Sequence, residues 1–325
     1  TETGGEAIGL QVNALAFAFQ TSDEINDMTF YRYTLVNKGG NPLSQTYMGQ
    51  WVDPDLGCFN DDFVGCDTSR DLGIVYNGDA NDEVSGCGSS RGYGESNIPM
   101  LGVDYFEGPK DTAGNQLGMS SFVYYNNDFS VQGNPRTAAQ FRNYQTGKWI
   151  DGTNIEFGGD GYNEGTFAFQ YMFPSPPSDN GAGAWSECSE GIQPADRRFL
   201  QNSGPFVLLP GAENNITVGA VWVQTAPGTY PCPSFEATIG RADDKAQDLF
   251  DNCFKLIDGP DAPTLRIREL DKEIIIYIVN EPGSNNIGES YDQVNPLDRS
   301  DYARIRLLGG NPDSTFTFQG YRIFQ

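Results

Sequence analysis

Apolar and polar positions alternate along much of the chain. In "AIGLQVNALAFAFQ" (7–20) and "MTFYRYTLVNKGG" (28–40) every second side chain prefers the interior, the period of a half-buried strand, and Asn37 to Gly40 close the second run as a turn. "TYMGQWV" continues the pattern and leads straight into an acidic stretch. "LGIVYN" (72–77), "IPMLGVDYF" (98–106) and "MSSFVYYNN" (119–127) read as further strands, and "GTFAFQYMF" (165–173) alternates until the proline-rich loop "PSPPSDNGAGA". "GPFVLLPG" and "NITVGAVWV" (215–223) complete the set. Many short strands separated by turn signals predict an all-β fold, an antiparallel β-sandwich with long loops.

One segment changes period. "ATIGRADDKAQDLFDNCFKL" (237–256) places Ala242, Ala246, Leu249, Phe250, Cys253 and Phe254 at helical spacing. Asp243 and Asp244 near its start and Lys255 near its end suit the helix dipole, and its apolar side is a core face. After it, "IDGPDAPTLRI" carries the prolines and glycine of a linker or a sharp domain entry. "TLRIRELDKEIIIYIVN" reads as two strands, and "STFTFQGYRIFQ" (314–325) still alternates at Gln325. The expected organisation is a sandwich domain over 1–257 with a helix near 240–256, then the start of an immunoglobulin- or fibronectin-like domain over 258–325 that continues in a longer parent.

Charge and cysteine narrow the setting. The 325 residues carry a formal net charge of −24. Such a chain repels nucleic acid and anionic membrane and attracts cations. Six cysteines (Cys58, Cys66, Cys87, Cys188, Cys232, Cys253) contain no C-x-x-C pair, and there is no histidine, which argues against zinc and for structural disulfides outside the cytoplasm. Six cysteines allow 15 pairings; Cys58, Cys66 and Cys87 are expected near one another in the acidic region. No apolar run is long enough to span a bilayer. The polar, glycine-rich start at Thr1 reads as a chain already processed.

The densest chemistry is "VDPDLGCFNDDFVGCD" (52–67). Like charges at close range raise one another's cost of ionisation, so Asp53, Asp55, Asp61, Asp62 and Asp67 need either open water or a positive partner. Calcium takes six to eight oxygens from carboxylates, carbonyls and water. "NGDANDE" (77–83) adds Asn77, Asp79, Asn81, Asp82 and Glu83, and "GGDGYNE" (158–164) is similar. The expectation is a calcium ion, rather than magnesium, held among Asp53, Asp55, Asp61, Asp62, Asp67, Asp79 and Asp82, though the spacing is not that of an EF-hand. Arg197 and Arg198 in "PADRRFL" are expected to pair with the acidic loops rather than to bind an anionic ligand.

Catalytic constellations are thin. Without histidine there is no Ser-His-Asp or Cys-His arrangement, and neither G-x-S-x-G nor a P-loop motif occurs. Paired carboxylates for glycoside hydrolysis remain open, but 44 acidic residues give no reason to choose two. Trp149, Trp185, Tyr93 and Tyr162 in glycine-rich loops either stack on sugar rings or plug those loops against the sandwich, and the second is favoured.

The blocks "RYTLVNK", "YMGQWVDPDLG", "DDFVGCD", "LGIVYNGD", "GVDYFEGP", "DRRFLQNSGPF", "ADDKAQDLFDNCF" and "DGPDAPTL … ELDKEIII", in that order, resemble a family of large secreted proteins of the Bacteroidetes phylum. Members of that family carry a sorting domain for type IX secretion, so the resemblance implies contact with the secretion machinery and a final place in the medium or at the cell surface. "GYRIFQ" is similar to a strand of fibronectin type III-like modules, and "DTA" and "DST" resemble the O-glycosylation sequon of these bacteria, at Thr112 and Ser314. The expected function is a non-enzymatic extracellular adhesion or structural protein stabilised by calcium and disulfides. A carbohydrate-binding module of a larger secreted enzyme and a subunit of a surface layer or filament are the alternatives, with polysaccharide or a cell-surface ligand as partner.

Overall fold

A computed structural model describes residues 4–21, 23–88, 90–254, 259–294 and 315–322. They fall into two compact units, Thr1–Asp243 and Asp244–Gln325.

The first unit is an antiparallel sandwich. One sheet orders six strands as β1 (Leu10–Ala18), β2 (Met28–Asn37), β9 (Glu213–Gln224), β6 (Pro99–Glu107), β5 (Leu72–Asn77) and β4 (Asp62–Asp67). The other orders β3 (Leu43–Val52), β8 (Arg197–Leu208) and β7 (Met119–Asn126). The facing sides meet closely: a β-carbon on Gly73 of β5 would lie 2.9 Å from the rings of both Phe122 and Phe199, so only glycine fits there. The Tyr105 hydroxyl on β6 donates to the Gln201 carbonyl at 2.9 Å and accepts from the Gln50 N–H at 3.2 Å, tying the two sheets at one point. Phe122, Phe173 and Phe199 are fully buried in this core, each contributing roughly 1.5–3 kcal/mol on leaving water.

Most alternating segments are strands where the pattern places them. Two differ. "DDFVGCD" is β4, not loop: Phe63 to Cys66 are buried, and the aspartates sit at its two ends. "GTFAFQYMF" is not a regular strand. It makes isolated bridges, Glu156 with Ala168 and Phe122 with Tyr171, because its alternation serves an aromatic cluster around Trp185.

Short helices occupy the loops. α1 (Ala138–Gln145) starts from a capping box in which Thr137 accepts from the Gln140 N–H and Gln140 reaches back to the cap. α2 (Glu187–Glu190) is a single turn begun by Ser186 and ended by Gly191 in the left-handed region. The predicted helix appears as a wide π-type turn, Glu236–Gly240, running into α3 (Arg241–Asp251). Ala242, Ala246 and Leu249 are buried as the spacing requires. Cys253 and Phe254 both take φ of +57°, so the helix has stopped before them. Lys255 and Ser314 lie outside the described residues.

In the second unit β10 (Thr264–Glu269) and β11 (Ile274–Val279) form an antiparallel hairpin, and β12 (Asp292–Val294) pairs with β13 (Thr315–Thr317).

Two disulfides brace the loops of the first unit, Cys58–Cys87 and Cys188–Cys232. They close segments of 29 and 44 residues, worth roughly 3–4 kcal/mol each in unfolded-chain entropy. Cys66 corrects the expected grouping: it faces the interior from β4, its Sγ against the Met172 carbonyl, and is free, as is Cys253.

Candidate metal centre

The antiparallel register of β4 on β5 sets Asp62 opposite Asn77, which places Asp61 beside the turn that follows β5. The Gly78 N–H donates to the Asp61 carbonyl at 2.6 Å and fastens that junction. The Cys58–Cys87 disulfide then draws the 79–87 loop across the same edge. Between them opens a cavity of about 390 Å³. Asn60, Asp61, Asp79, Glu83 and Ser85 supply its oxygen atoms, the disulfide forms one wall, and no lysine or arginine lines it.

Asp61 is the centre of this site. Its side chain is 6% exposed, and neither carboxylate oxygen has a hydrogen-bond donor. The Glu83 carboxylate lies within hydrogen-bonding reach of it. Burial, with Glu83, Asp82 and Asp79 adding repulsion, pushes the Asp61 carboxyl up to about 8. Asp79 offers one oxygen, since its Oδ1 already accepts from the Asn81 N–H at 2.8 Å. These are hard oxygens of the kind calcium takes, but those of Asp61, Asp79 and Glu83 do not all come within 4.8 Å of one another, so an ion here would need water to complete its shell; the half-cystine sulfurs near Glu83 are bonded to each other and are not thiolate ligands.

The remaining expected ligands divide by what already occupies them. Asp82 is a clamp: its carboxylate accepts from the Cys58 N–H at 2.8 Å and the Tyr93 N–H at 2.9 Å. It fits between Gly57 and Gly92, where added β-carbons would come within 2.0 Å of its oxygens. Asp62 turns its Oδ2 back to the Leu56 N–H at 3.1 Å and is fully buried, which raises its carboxyl well above the usual range; Asp61 and Asp82 add to this. Asp67 caps the β4–β5 turn through Ser69 and pairs with Arg70 at 2.7 Å. Burial works against its charge, but Ser69 and Arg70 hold its carboxyl below the ordinary value.

Asp53 and Asp55 belong to a second cluster. Their carboxylates and that of Asp196 lie within 4.8 Å of one another. Here the counter-charge is built in: Arg198 pairs with Asp53 at 3.1 Å and with Asp196 at 3.2 Å. The expectation that the two arginines pair with the acidic loops is met for Arg198, on Asp53. Arg197 instead pairs with Glu187 at 2.6 Å, both fully enclosed, while the other Glu187 oxygen accepts from the Val64 N–H at 2.8 Å.

The aromatic residues singled out in the loops are mostly plugs. Trp149 and Trp185 are fully buried, their indole N–H groups donating to the Gly161 and Gly159 carbonyls. Tyr162 is tied to Asp151 at 3.0 Å; only Tyr93, 43% exposed, offers a free surface. Thr112 sits exposed in the turn capped by Asp111. Among the described residues no helix is long and apolar enough to cross a membrane.

No protein-family model matches the chain. No curated protein matches it in sequence.

Proposed function

We propose that this chain is a non-enzymatic extracellular or cell-surface protein in which calcium, bound by Asp61, Glu83 and Asp79, staples the 79–87 loop to the β4–β5 edge. The observation that carries the reading is Asp61: a buried carboxylate without a donor, facing other carboxylates, beside an open cavity of which a disulfide forms one wall. A cation supplies what the protein does not. Disulfides persist in oxidising surroundings, outside the cytoplasm. The route implied by the sequence resemblance, type IX secretion, belongs to the same proposal, as does a role in adhesion or surface structure.

The same carboxylates argue against glycoside hydrolysis. That chemistry needs two carboxyl groups about 5–10 Å apart with a sugar between them, whereas Asp61 and Glu83 stand within hydrogen-bonding reach. The chain has no histidine to serve there as a base, and binding is the role proposed for the site. Thermal unfolding without reductant, in EDTA and then in millimolar calcium or magnesium, tests the reading. A calcium-specific rise in Tm is expected; equal curves in all three, with no metal in the protein by elemental analysis, contradict it.

A further inference from the structure

A second cavity, of about 290 Å³, opens between the turn at 146–154 and the segment 168–171, near the lower end of ligand-sized sites. Its lining includes Thr146, Lys148, Asn154, Phe169, Gln170 and Tyr171 and contains no acidic residue, in a chain that has 44 of them. Backbone pairing builds it. Lys148 bridges to Asn154, and Phe122 of β7 exchanges hydrogen bonds of 3.0 Å with Gln170 and Met172, so the aromatic segment runs along the edge of the three-stranded sheet. The Tyr171 hydroxyl donates to the Met119 carbonyl at 2.9 Å, which fixes its ring.

Three polar groups here are uncommitted. The side chains of Lys148, Asn154 and Gln170 make no hydrogen bond or ion pair among the described residues. Beside them Phe169 and Tyr171 are half-buried, with ring centroids 5.7 Å apart. Rigid aromatic faces next to free amides and an ammonium suit a ligand with one apolar C–H face and a rim of hydroxyls. A purely apolar ligand would strand the amides, a cation would find no carboxylate, and nucleic acid is repelled by the net charge.

We propose that this cleft binds a pyranose unit of a soluble polysaccharide, its C–H face on Tyr171 and Phe169 and its hydroxyls on Asn154, Gln170 and Lys148. The proposal deepens the surface-protein reading and rests on it for where the ligand is met. Phe167, Phe169 and Tyr171 meet edge to face, at 85° and 66°, so they form no flat platform. The cleft takes a single sugar unit of a chain, not the face of a crystalline polymer.

The test is native affinity electrophoresis of the full chain in millimolar calcium, in gels containing one of four neutral glycans: laminarin, xylan, mannan or pullulan. Retardation is expected in at least one gel. An N154A/Q170A variant, which removes only exposed side chains without partners in the protein, should bind roughly tenfold more weakly at unchanged Tm. Absence of retardation in all four gels, or equal retention of wild type and N154A/Q170A, overturns the proposal. None of the cleft residues lines the acidic pocket, so glycan binding without a calcium shift in Tm would overturn the metal reading alone, and the reverse pattern the cleft alone.

Discussion

The acidic run at 52–67 divides into two clusters that handle like charge by different means. At Asp53, Asp55 and Asp196 the chain brings its own cation, Arg198, from the start of β8. At Asp61, Asp79 and Glu83 no basic residue lines the cavity, and the cost appears as an Asp61 carboxyl pushed up to about 8. Asp55 carries the milder version: burial raises it, Asp53 and Asp196 add to this, and Arg198 pulls it back. A covalently attached guanidinium makes the first cluster independent of the medium. The second has no such partner, so its ionisation costs stability that a proton or a bound cation would restore.

The arginine side of this contrast should break hardest at its most enclosed pair. Arg197→Met leaves Glu187 buried without its partner and should cost about 3–5 kcal/mol in urea unfolding; a loss within error would mean the pair contributes nothing. Arg198→Ala frees a less enclosed cluster and should cost about 1–2 kcal/mol. That variant also tests the comparison itself. With the guanidinium gone, Asp53, Asp55 and Asp196 should become calcium-responsive, so calcium should return part of the lost stability while leaving an Arg198→Lys variant unaffected.

Asp61→Asn should act in the opposite direction. In EDTA at pH 8 it removes an uncompensated charge and should stabilise by about 1 kcal/mol; destabilisation there would show that the carboxylate already has an internal partner. The pH profile reads the same carboxylate through linkage. Asp61 binds its proton more tightly folded than unfolded, so in EDTA stability should be highest near pH 4 and decline as pH rises towards about 8. Calcium displaces that proton, so its stabilising effect should grow over the same interval. Differential scanning calorimetry at stepped pH reads both; a calcium effect that shrinks with rising pH contradicts the assignment.

Much of the sandwich is legible because buried positions recur at two-residue spacing, as along β2, or run together in a short apolar stretch bounded by turn residues, as in β5, which is buried throughout. β4 was hidden by its own ends, where Asp62 and Asp67 mimic loop composition although each answers a local backbone need. α1 has too weak an apolar period to stand out, yet Thr137 and Gln140 carry a readable capping signal. The acidic site was legible as composition and not as geometry. Asp61, Asp79 and Glu83 all stood in the quoted runs, but the β4–β5 register and the Cys58–Cys87 bond decide which carboxylates meet. Asp82 resembled them in sequence and differs only in having two backbone N–H groups to satisfy it. Asp53 differs through Arg198, far along the chain, a pairing no local pattern announces.

The most direct measurement is isothermal titration of calcium into wild type, Asp61→Asn and Asp53→Asn, at pH 8 without reductant. The account predicts one calcium per chain for wild type and Asp53→Asn, and none for Asp61→Asn with its fold intact by circular dichroism. Equal binding by wild type and Asp61→Asn, or loss of binding in Asp53→Asn alone, would contradict it.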